Sequence, residues 1–470
     1  CVESLSTQFE QDLYMKRIIA SVGAVALGIV SMQSAFAQAE AKVENEKSLP
    51  WLSASLAVRG FYDDNIMAAP NKEINGDKTK MDSFGFQIAP SVGLKYENDS
   101  TLASLRYEYG YTYFGSHRNK KADQSHLVDA LFSHNFNDNV NIKVSDSFAV
   151  AQEPGTLSDF GGQAFMTRAE GDNMRNFGEV LLGVKYYENL GFELGYRNGY
   201  WDFSNDDYAF FLNRIEHTPH LDLYYDIDDI NRVFLGVQYN YSDYTSNQKR
   251  VLWGSMGAPL YDLTGNLATY GSNLYNREGG AAYAGYRLTL AQGLDWTTKV
   301  GAQYTSWENA GEYNDRLYFY GDGTPASLGL KKDDTTPFAE TILSWMYMEN
   351  SIAQLGVRHD VGASQWGAMS SEATTVYANV NHEFTPRLTA GLNGVYQHAD
   401  YGRSPGSYVG NGMRDDYFSV GPCASYRITS LDCPVGTFVD LSYSYDNLRS
   451  SIENRGYERN RVFLGVRATY

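Results

Sequence analysis

The segment TLASLRYEYGYTY, residues 101–113, alternates between two kinds of side chain along its whole length. Its odd positions carry Ala103, Leu105 and then only tyrosines, whereas Arg106 and Glu108 stand at even positions. Successive side chains of a β-strand point to opposite faces of the sheet. The segment therefore predicts a strand with one apolar, aromatic-ended face and one charged face.

The same alternation returns at 232–241 and at 438–446. Alternation alone would also fit a soluble sandwich with one wet face. Strands of soluble proteins average about 5–6 residues, whereas strands that cross a membrane need about 9–11. The runs in this chain keep their alternation for the longer span, and tyrosines end their apolar faces as in the aromatic girdles of outer-membrane barrels. We therefore predict an all-β fold, a transmembrane antiparallel up-and-down β-barrel.

Connections between the predicted strands sort into two lengths. We expect about 18 strands, within a range of 16–18, because bacterial single-chain barrels have even numbers. They lie near 51–61, 83–96, 101–114, 125–136, 139–151, 174–187, 190–203, 213–225, 230–244, 279–288, 294–307, 335–347, 351–361, 373–384, 387–400, 415–428, 437–446 and 457–470. Links after even-numbered strands are short, and links after odd-numbered ones are long, such as 62–82, 152–173, 245–278 and 308–334. This predicts short periplasmic turns and long extracellular loops.

One predicted apolar face is interrupted by a carboxylate. Asp146 falls among Val144, Phe148 and other apolar residues of the strand near 139–151. A bare carboxylate that faces lipid at mid-depth is costly. We therefore expect a β-bulge or an interfacial position at this residue.

The N-terminal region carries an export signal. Met15 is followed by two basic residues, an apolar run at 18–30 and Ala35-Phe36-Ala37, the three parts of a secretory signal peptide. The apolar run is shorter than the about 20 residues that a spanning helix needs. The expected organisation is a non-native extension over 1–14, a signal peptide over 15–37 for the Sec pathway, a periplasmic stub over 38–50 and a barrel over 51–470.

Composition excludes some classes of function. The net charge is −18 and no basic stripe is present, which argues against nucleic-acid binding. Cys423 and Cys433 flank a predicted turn, so a local disulfide is one alternative and two unrelated thiols the other. No His or Cys cluster has the spacing of a metal site, and no cofactor is expected.

From about residue 51 onward the chain resembles the putative β-barrel porin 2 family of Gram-negative outer membranes. The stretches that carry the resemblance are Gly60-Phe61-Tyr62-Asp63-Asp64-Asn65-Ile66, Pro90-Ser91-Val92-Gly93-Leu94 and the tyrosine-rich strand at 101–114. The resemblance implies an outer-membrane barrel and transfers no functional residue. Tyr470, an aromatic residue that ends the last strand, resembles the signal read by the barrel assembly machinery, which we expect as a partner beside outer-membrane lipids.

Charged residues on the predicted inner face indicate a hydrated lumen, because so many charges cannot be buried dry without partners. The leading candidates for lining it are Arg59, Arg106, Glu108, Lys143, Arg197, Arg232, Arg358, Asp360, Arg427, Asp440 and Arg467. The alternative is that they form structural ion pairs that brace the wall. Since this set leans basic while the whole chain is acidic, we predict a porin-like channel for small hydrophilic solutes with a mild preference for anions.

The loop predicted at 245–278 is too apolar to be freely solvated. Trp253, Tyr261 and Tyr270 stand out in it, and the loop is expected either to enter the lumen as a constriction or to cap the barrel outside. Packing is favoured over ligand binding. The loops at 152–173 and 308–334 are candidates to join it.

Two other classes of function remain open. An outer-membrane hydrolase would need a Ser and a His within hydrogen-bond reach, and no His has a Ser two residues away on the same strand face. A structural, adhesive or secretion-accessory barrel with a plugged lumen is the stronger alternative. A homo-oligomer is also open, but no strand is plainly apolar on both faces, so the sequence identifies no interface.

Overall fold

The computed structural model describes the chain from residue 51 onward with short gaps. The described residues are 51–72, 79–116, 121–151, 173–253, 258–348, 350–362, 368–402, 413–431 and 433–470. The predicted extension, signal peptide and stub all lie outside them.

Eighteen long antiparallel strands in the described residues form one sheet that closes on itself. They are β1 (Leu52–Asp63), β2 (Ser83–Glu97), β3 (Thr101–Phe114), β4 (Ala122–Asn137), β5 (Val140–Ala151), β6 (Asn173–Lys185), β7 (Leu190–Phe203), β8 (Arg214–Asp226), β9 (Asn231–Tyr244), β12 (Arg277–Ala291), β13 (Leu294–Trp307), β16 (Asp333–Met348), β17 (Ser351–Gly362), β18 (Ser371–Thr385), β19 (Leu388–Tyr401), β20 (Met413–Arg427), β21 (Gly436–Ser450) and β22 (Tyr457–Thr469). Strands of 12 to 16 residues are long enough to cross a membrane. The predicted barrel and its strand number are confirmed.

The barrel closes where the first strand meets the last. Each strand pairs with its neighbours in sequence, and β1 pairs with both β2 and β22. The β1–β22 register runs from Ser55 opposite Thr469 to Asp63 opposite Arg461. Backbone hydrogen bonds between Ala54 and Tyr470, of 3.0 and 2.8 Å, extend this seam at the periplasmic end.

Side chains on the two faces of the wall differ sharply in exposure. Leu235 is 66 % exposed and Val300 63 %, and such apolar residues alternate with buried polar ones along most strands. An apolar belt of this size in water would be a strong aggregation site, whereas facing lipid it is favourable. The exposed face is therefore the lipid face and the opposite face is the inner wall.

Connections alternate between tight turns and long excursions, as predicted. The links β4–β5, β12–β13 and β18–β19 each contain two residues. On the other side of the barrel, the connections carry the short strands β10 (Lys249–Val251), β11 (Thr269–Gly271), β14 (Tyr318–Phe319) and β15 (Pro325–Ala326), the helices α1 (Asp206–Leu212) and α2 (Ala310–Asp315), and a 3₁₀ helix at Ser272–Tyr275.

Among the described residues, no helix combines the length and the apolar character that crossing a membrane requires.

The expectation of a bulge at Asp146 is wrong. Asp146 lies in the middle of β5 opposite Ala130 and Gly178, and the register is regular on both sides of it. Its carboxylate accepts a hydrogen bond of 2.9 Å from the Asn176 side chain on β6. Gly178 leaves the space that the carboxylate occupies, since a Cβ there would come within 3.2 Å of an Asp146 oxygen. A polar partner thus takes the place of a backbone distortion.

Candidate functional site: a charged inner wall

The eleven predicted pore-lining residues all lie on barrel strands, on the face opposite the lipid-facing belt. Most of them meet an oppositely charged side chain on the same or a nearby strand. The clearest local pairs are Arg106 with Glu108 at 2.5 Å and Arg197 with Glu179 at 3.7 Å. The inner face therefore combines the two alternatives drawn from the sequence, a polar lining and a set of bracing ion pairs.

A chain of ion pairs crosses the wall from β8 to β17. The Lys299 ammonium lies 4.0 Å from Asp222 and 3.8 Å from Glu340. Arg358 lies 3.8 Å from Glu340 and 2.8 Å from Asp360. These side chains stretch sideways over several strands, so the charged layer covers the wall and does not project freely from it.

Gly236 has no side chain, and this leaves room for Asp222, the first residue in this chain of ion pairs. The Tyr283 hydroxyl donates a hydrogen bond of 2.7 Å to Asp222. The two meet above Gly236, where an added Cβ would lie 2.1 Å from both the Asp222 carboxylate and the Tyr283 ring. A glycine in the interior of a strand is weakening by itself, and here it provides room for a buried polar contact.

A second ionic cluster lies beside the closing seam. Arg467 donates to Asp440 at 3.0 Å, and Arg59 lies 4.0 Å from the same carboxylate. Ser425 donates its hydroxyl to Asp440 at 2.7 Å, and the Arg467 guanidinium stacks 4.5 Å above the Phe438 ring. The three charged groups are at most 7 % exposed.

Cationic groups predominate in this seam cluster. Arg427, also buried, donates to the backbone carbonyls of Leu431 and Cys433 at 3.3 and 3.2 Å. It lies at the end of β20, next to the periplasmic turn. Arg59 and Arg467 share the Asp440 carboxylate, and Arg427 and Arg467 both lie over the Phe438 ring, so three arginines lie close together beside the seam.

Several acidic wall residues were missed by the sequence analysis. Asp222 and Asp226 continue the inward parity of Glu216 on β8, and Asp446 continues that of Asp440 on β21. Asp226 pairs with Arg232 at 2.5 Å, and Asp446 with Arg461 at 3.0 Å. The alternation already places Asp222 and Asp446 on the inner face of their predicted strands, and extending the first of these strands by one residue adds Asp226. Their charges reduce the basic excess that the shorter set of candidates suggested.

The long extracellular loops share one apolar core. Its members include Phe210 of α1, Tyr270 of β11 and Tyr313 of α2, and Met369 joins from the loop before β18. Trp307, 1 % exposed, donates its indole N–H to the Met369 carbonyl at 2.9 Å. The loops that the sequence placed at 245–278 and 308–334 therefore pack together, whereas 152–172 lies outside the described residues.

The other two aromatic residues singled out in this loop make backbone contacts. Tyr261 exchanges backbone hydrogen bonds of 2.8 and 3.0 Å with Phe319 of β14. Trp253 forms an isolated antiparallel bridge with Pro259. The Tyr261–Phe319 contact joins the two loops into one folded cap, and the Trp253–Pro259 bridge lies within the first of them.

Helix α1 also reaches the inner wall. Tyr208 and Phe211 of this helix pack against a cluster that contains Phe177 of β6 and Trp201 of β7. The Arg214 guanidinium lies 3.8 Å from the centre of the Trp201 ring. The cap is thus anchored to the inside of the barrel, a contact that no periodicity in the sequence predicts.

The two described cysteines are free thiols. Cys423 lies on β20 opposite Ser442 of β21, and Cys433 lies in the turn that follows β20. No group of three or more His, Cys, Asp or Glu residues in the described ranges is arranged to hold a metal ion.

Comparison with known families supports the resemblance read from the sequence. The family model described as putative beta-barrel porin 2 matches residues 331–470. The matched part contains the seven strands from β16 to β22. No curated protein matches the chain.

Solved structures of outer-membrane porins align with most of the chain at low identity. OpdK of Pseudomonas aeruginosa, solved with vanillate, is 10 % identical, with a TM-score of 0.39 over 89 % of this chain and 99 % of its own. OccK9 (OpdG) of the same species is 12 % identical, with a TM-score of 0.41 over 89 % and 98 %. A BenF-like porin of Pseudomonas fluorescens Pf-5 is 10 % identical, with a TM-score of 0.40 over 89 % and 99 %.

The closed wall, its lipid-facing belt and the family match agree with one another. An amphipathic antiparallel barrel of this size belongs in the outer membrane. The predicted localisation in the outer membrane of a Gram-negative bacterium is therefore confirmed, and over residues 331–470 the chain is similar to the putative beta-barrel porin 2 family.

Proposed function

We propose that this protein is a porin-like channel through which small hydrophilic solutes diffuse passively across the outer membrane. The observation that carries the proposal is the charged and hydrogen-bonded inner wall of an eighteen-stranded barrel. Barrels of about 16–18 strands enclose an aqueous channel unless they are plugged. Polar and charged groups are costly away from water unless they are paired, so a wall of this polarity favours a hydrated lumen.

A mild preference for anions is part of the same proposal. Along most of the wall, each cation has a carboxylate partner, so those regions contribute little net field. Beside the seam, Arg59, Arg427 and Arg467 lie close together, joined through Asp440 and the Phe438 ring. Charge rings of one sign set the selectivity of a pore, and a cationic sector would favour anionic solutes.

Bilayer recordings test conduction and selectivity together. The purified barrel, inserted into a planar bilayer, is expected to show discrete conductance steps and a reversal potential on the anion side in a potassium chloride gradient. Arg427→Gln should move this potential toward the cation side. Arg316→Gln, which removes an equal charge from the exposed helix end in the cap, is the matched control and should leave it unchanged. Clear cation preference of the parent protein would reject the anion proposal.

A barrel with a plugged lumen is the second candidate, favoured by the cap core and by the contact of α1 with Phe177 and Trp201 on the inner wall. Absence of conductance from correctly folded protein would support it against the channel. Turnover of lipid or peptide substrates would instead indicate an enzyme, which we do not propose. Recognition of Tyr470 by the barrel assembly machinery and association into a homo-oligomer are further expectations.

A further inference from the structure

The segment after β1 turns into the barrel. Ile66 is fully buried in a cluster with Phe61 of β1 and Phe114 of β3. Met67 and Phe463 of β22 pack against the same cluster. Phe61, Phe114 and Phe463 all have inward parity, because each shares its face with charged wall residues of its own strand. Ile66 therefore lies inside the wall at the extracellular mouth.

Two residues further along, the segment reaches a different part of the inner wall. Ala68 packs against a cluster of Val395, Tyr417, Leu448 and Tyr457. These residues belong to the four consecutive strands β19 to β22. Residues 66–68 therefore connect an apolar cluster on the β1–β3 side with one on the β19–β22 side.

Charged and amide groups fix the start of this segment to the last strand. Arg459 of β22 donates to the Asp63 carboxylate through both Nε and Nη2, and the two groups are 7 % and 2 % exposed. The Asp64 carboxylate accepts from the Asn460 backbone N–H at 2.7 Å and from its side-chain amide at 2.9 Å. Both acids therefore bind the first turn of the segment to the seam.

Two asparagines fix both ends of the excursion to one residue. The Asn65 side chain donates to the Glu458 carbonyl at 3.0 Å, and the Glu458 N–H donates to the Asn71 side chain at 3.3 Å. Asn65 also exchanges hydrogen bonds of 2.9 Å with the Ala69 backbone in both directions. The chain thus leaves β22 and returns to it within seven residues (65–71).

Ala68 has the backbone conformation of a residue under constraint. Its φ is 48°, in the left-handed region that a residue with a side chain rarely adopts. Such conformations persist only where the surroundings determine them. Here the Asn65 hydrogen bonds and the apolar contacts of Ile66 and Ala68 do so.

We propose that residues 64–71 form an inward strap that narrows the lumen, and that Asp63, Asp64 and Asn65 are its latch to β22. This role rests on the proposed channel function. It gives a structural role to the Tyr62-Asp63-Asp64-Asn65 stretch, which is part of the family resemblance. It also places a constricting element in the first extracellular loop, whereas the sequence predicted one at 245–278, with 152–173 and 308–334 as candidates to join it.

A single cysteine in the strap tests whether it lies along the conduction path. Ala68→Cys is made in a background without the three native cysteines, and a thiol-specific methanethiosulfonate reagent is added during single-channel recording. We expect a stepwise loss of conductance. Asp322→Cys, at an exposed turn of the cap, is the control and should be modified without loss. Complete modification of Ala68→Cys with unchanged current would overturn the proposal.

A second measurement needs no current and therefore separates the strap from the channel function. The labelling rate of Ala68→Cys should rise when the latch is neutralised by Asp63→Asn with Arg459→Gln. It should not change with Lys80→Ala, which removes only an exposed partner of Asp64. A heat-dependent gel shift verifies that each variant has a folded barrel. An unchanged rate in the neutralised variant would reject the latch even if the protein conducted, and absent current with a raised rate would reject only the channel.

Discussion

At the scale of single residues, the seam depends on a carboxylate shared by two buried arginines. Asp440→Ala removes the carboxylate that pairs with Arg59 and Arg467, while both guanidinium groups stay in the wall. Loss of one partner from a buried ion pair costs about 3–5 kcal/mol. We expect a lower free energy of unfolding in denaturant titrations of the barrel in lipid vesicles. Glu312→Ala, which breaks the exposed pair with Arg316 in the cap, should cost at most about 1 kcal/mol.

A second residue-scale prediction concerns the pH dependence of the latch. Burial by itself raises the pKa of Asp64, but hydrogen bonds from Asn460 and the nearby Lys80 outweigh it and hold the pKa below its ordinary value. A carboxyl whose pKa is lowered on folding stabilises the fold above its unfolded pKa, and that contribution is lost as the pH falls through the folded pKa. The charged groups around it are Lys80, Asp63 and Arg459.

Acidification should therefore loosen the strap before it unfolds the barrel. The labelling rate of Ala68→Cys is measured at each pH with a dithiodipyridine reagent, which still reacts with thiols in acid. We expect this rate, relative to that of Asp322→Cys at the same pH, to rise as the pH falls below the ordinary carboxyl pKa. Asp64→Asn should flatten this dependence, because the group that titrates is gone. A dependence of equal size in Asp64→Asn would assign it to another group.

Residue parity was predictable from sequence, whereas partners were not. Alternation alone placed Arg358 and Asp440 on the inner face. It could not show that Lys299 of β13 reaches Asp222 of β8. The Asp222 carboxylate lies over Gly236, and only a residue without a side chain leaves room for it there. The prediction of a bulge at Asp146 was wrong for the same reason, because its hydrogen-bond partner Asn176 lies on the neighbouring strand.

At the scale of elements, the extracellular cap is a small apolar core built from several loops. Leu260 is fully buried in it, whereas Leu263, in the same hairpin, is 71 % exposed. Leu→Ala at a buried site costs about 2–5 kcal/mol. Leu260→Ala should therefore speed proteolytic cleavage of the hairpin while the heat-dependent gel shift of the barrel is unchanged. Leu263→Ala is the matched control, and equal cleavage of both variants would contradict a packed cap.

Strands and loops of this chain differ in how far sequence predicts them. In each strand, side chains alternate between the lipid and the inner face over the length needed to cross the membrane, and this pattern marks the strand bounds. β3 was therefore predicted at 101–114 and is observed at Thr101–Phe114. The cap has no such period. Its core joins Phe210, Leu260 and Met369, residues distant in sequence, and only their apolar character was visible beforehand.

At the scale of the whole molecule, the first and last strands must find each other across nearly the full chain. At the extracellular end of the seam the Asp63–Arg459 pair holds them, and at the periplasmic end Ala54 and Tyr470 do so through their backbones. Because the backbone makes the second contact, the Tyr470 side chain is not needed for pairing itself. It remains outward, 37 % exposed, and available to another protein.

Tyr470→Ala should therefore separate assembly in the cell from intrinsic folding. We expect the variant to accumulate less in the outer membrane, measured by fractionation, yet to refold from denaturant into lipid vesicles with the parent yield and gel shift. Tyr426→Ala is the matched control, because Tyr426 is another outward tyrosine near the periplasmic end, 45 % exposed, and should behave as the parent does in both assays. Equal accumulation of Tyr470→Ala and Tyr426→Ala would mean that the terminal aromatic ring contributes to the lipid-facing girdle and carries no signal for assembly.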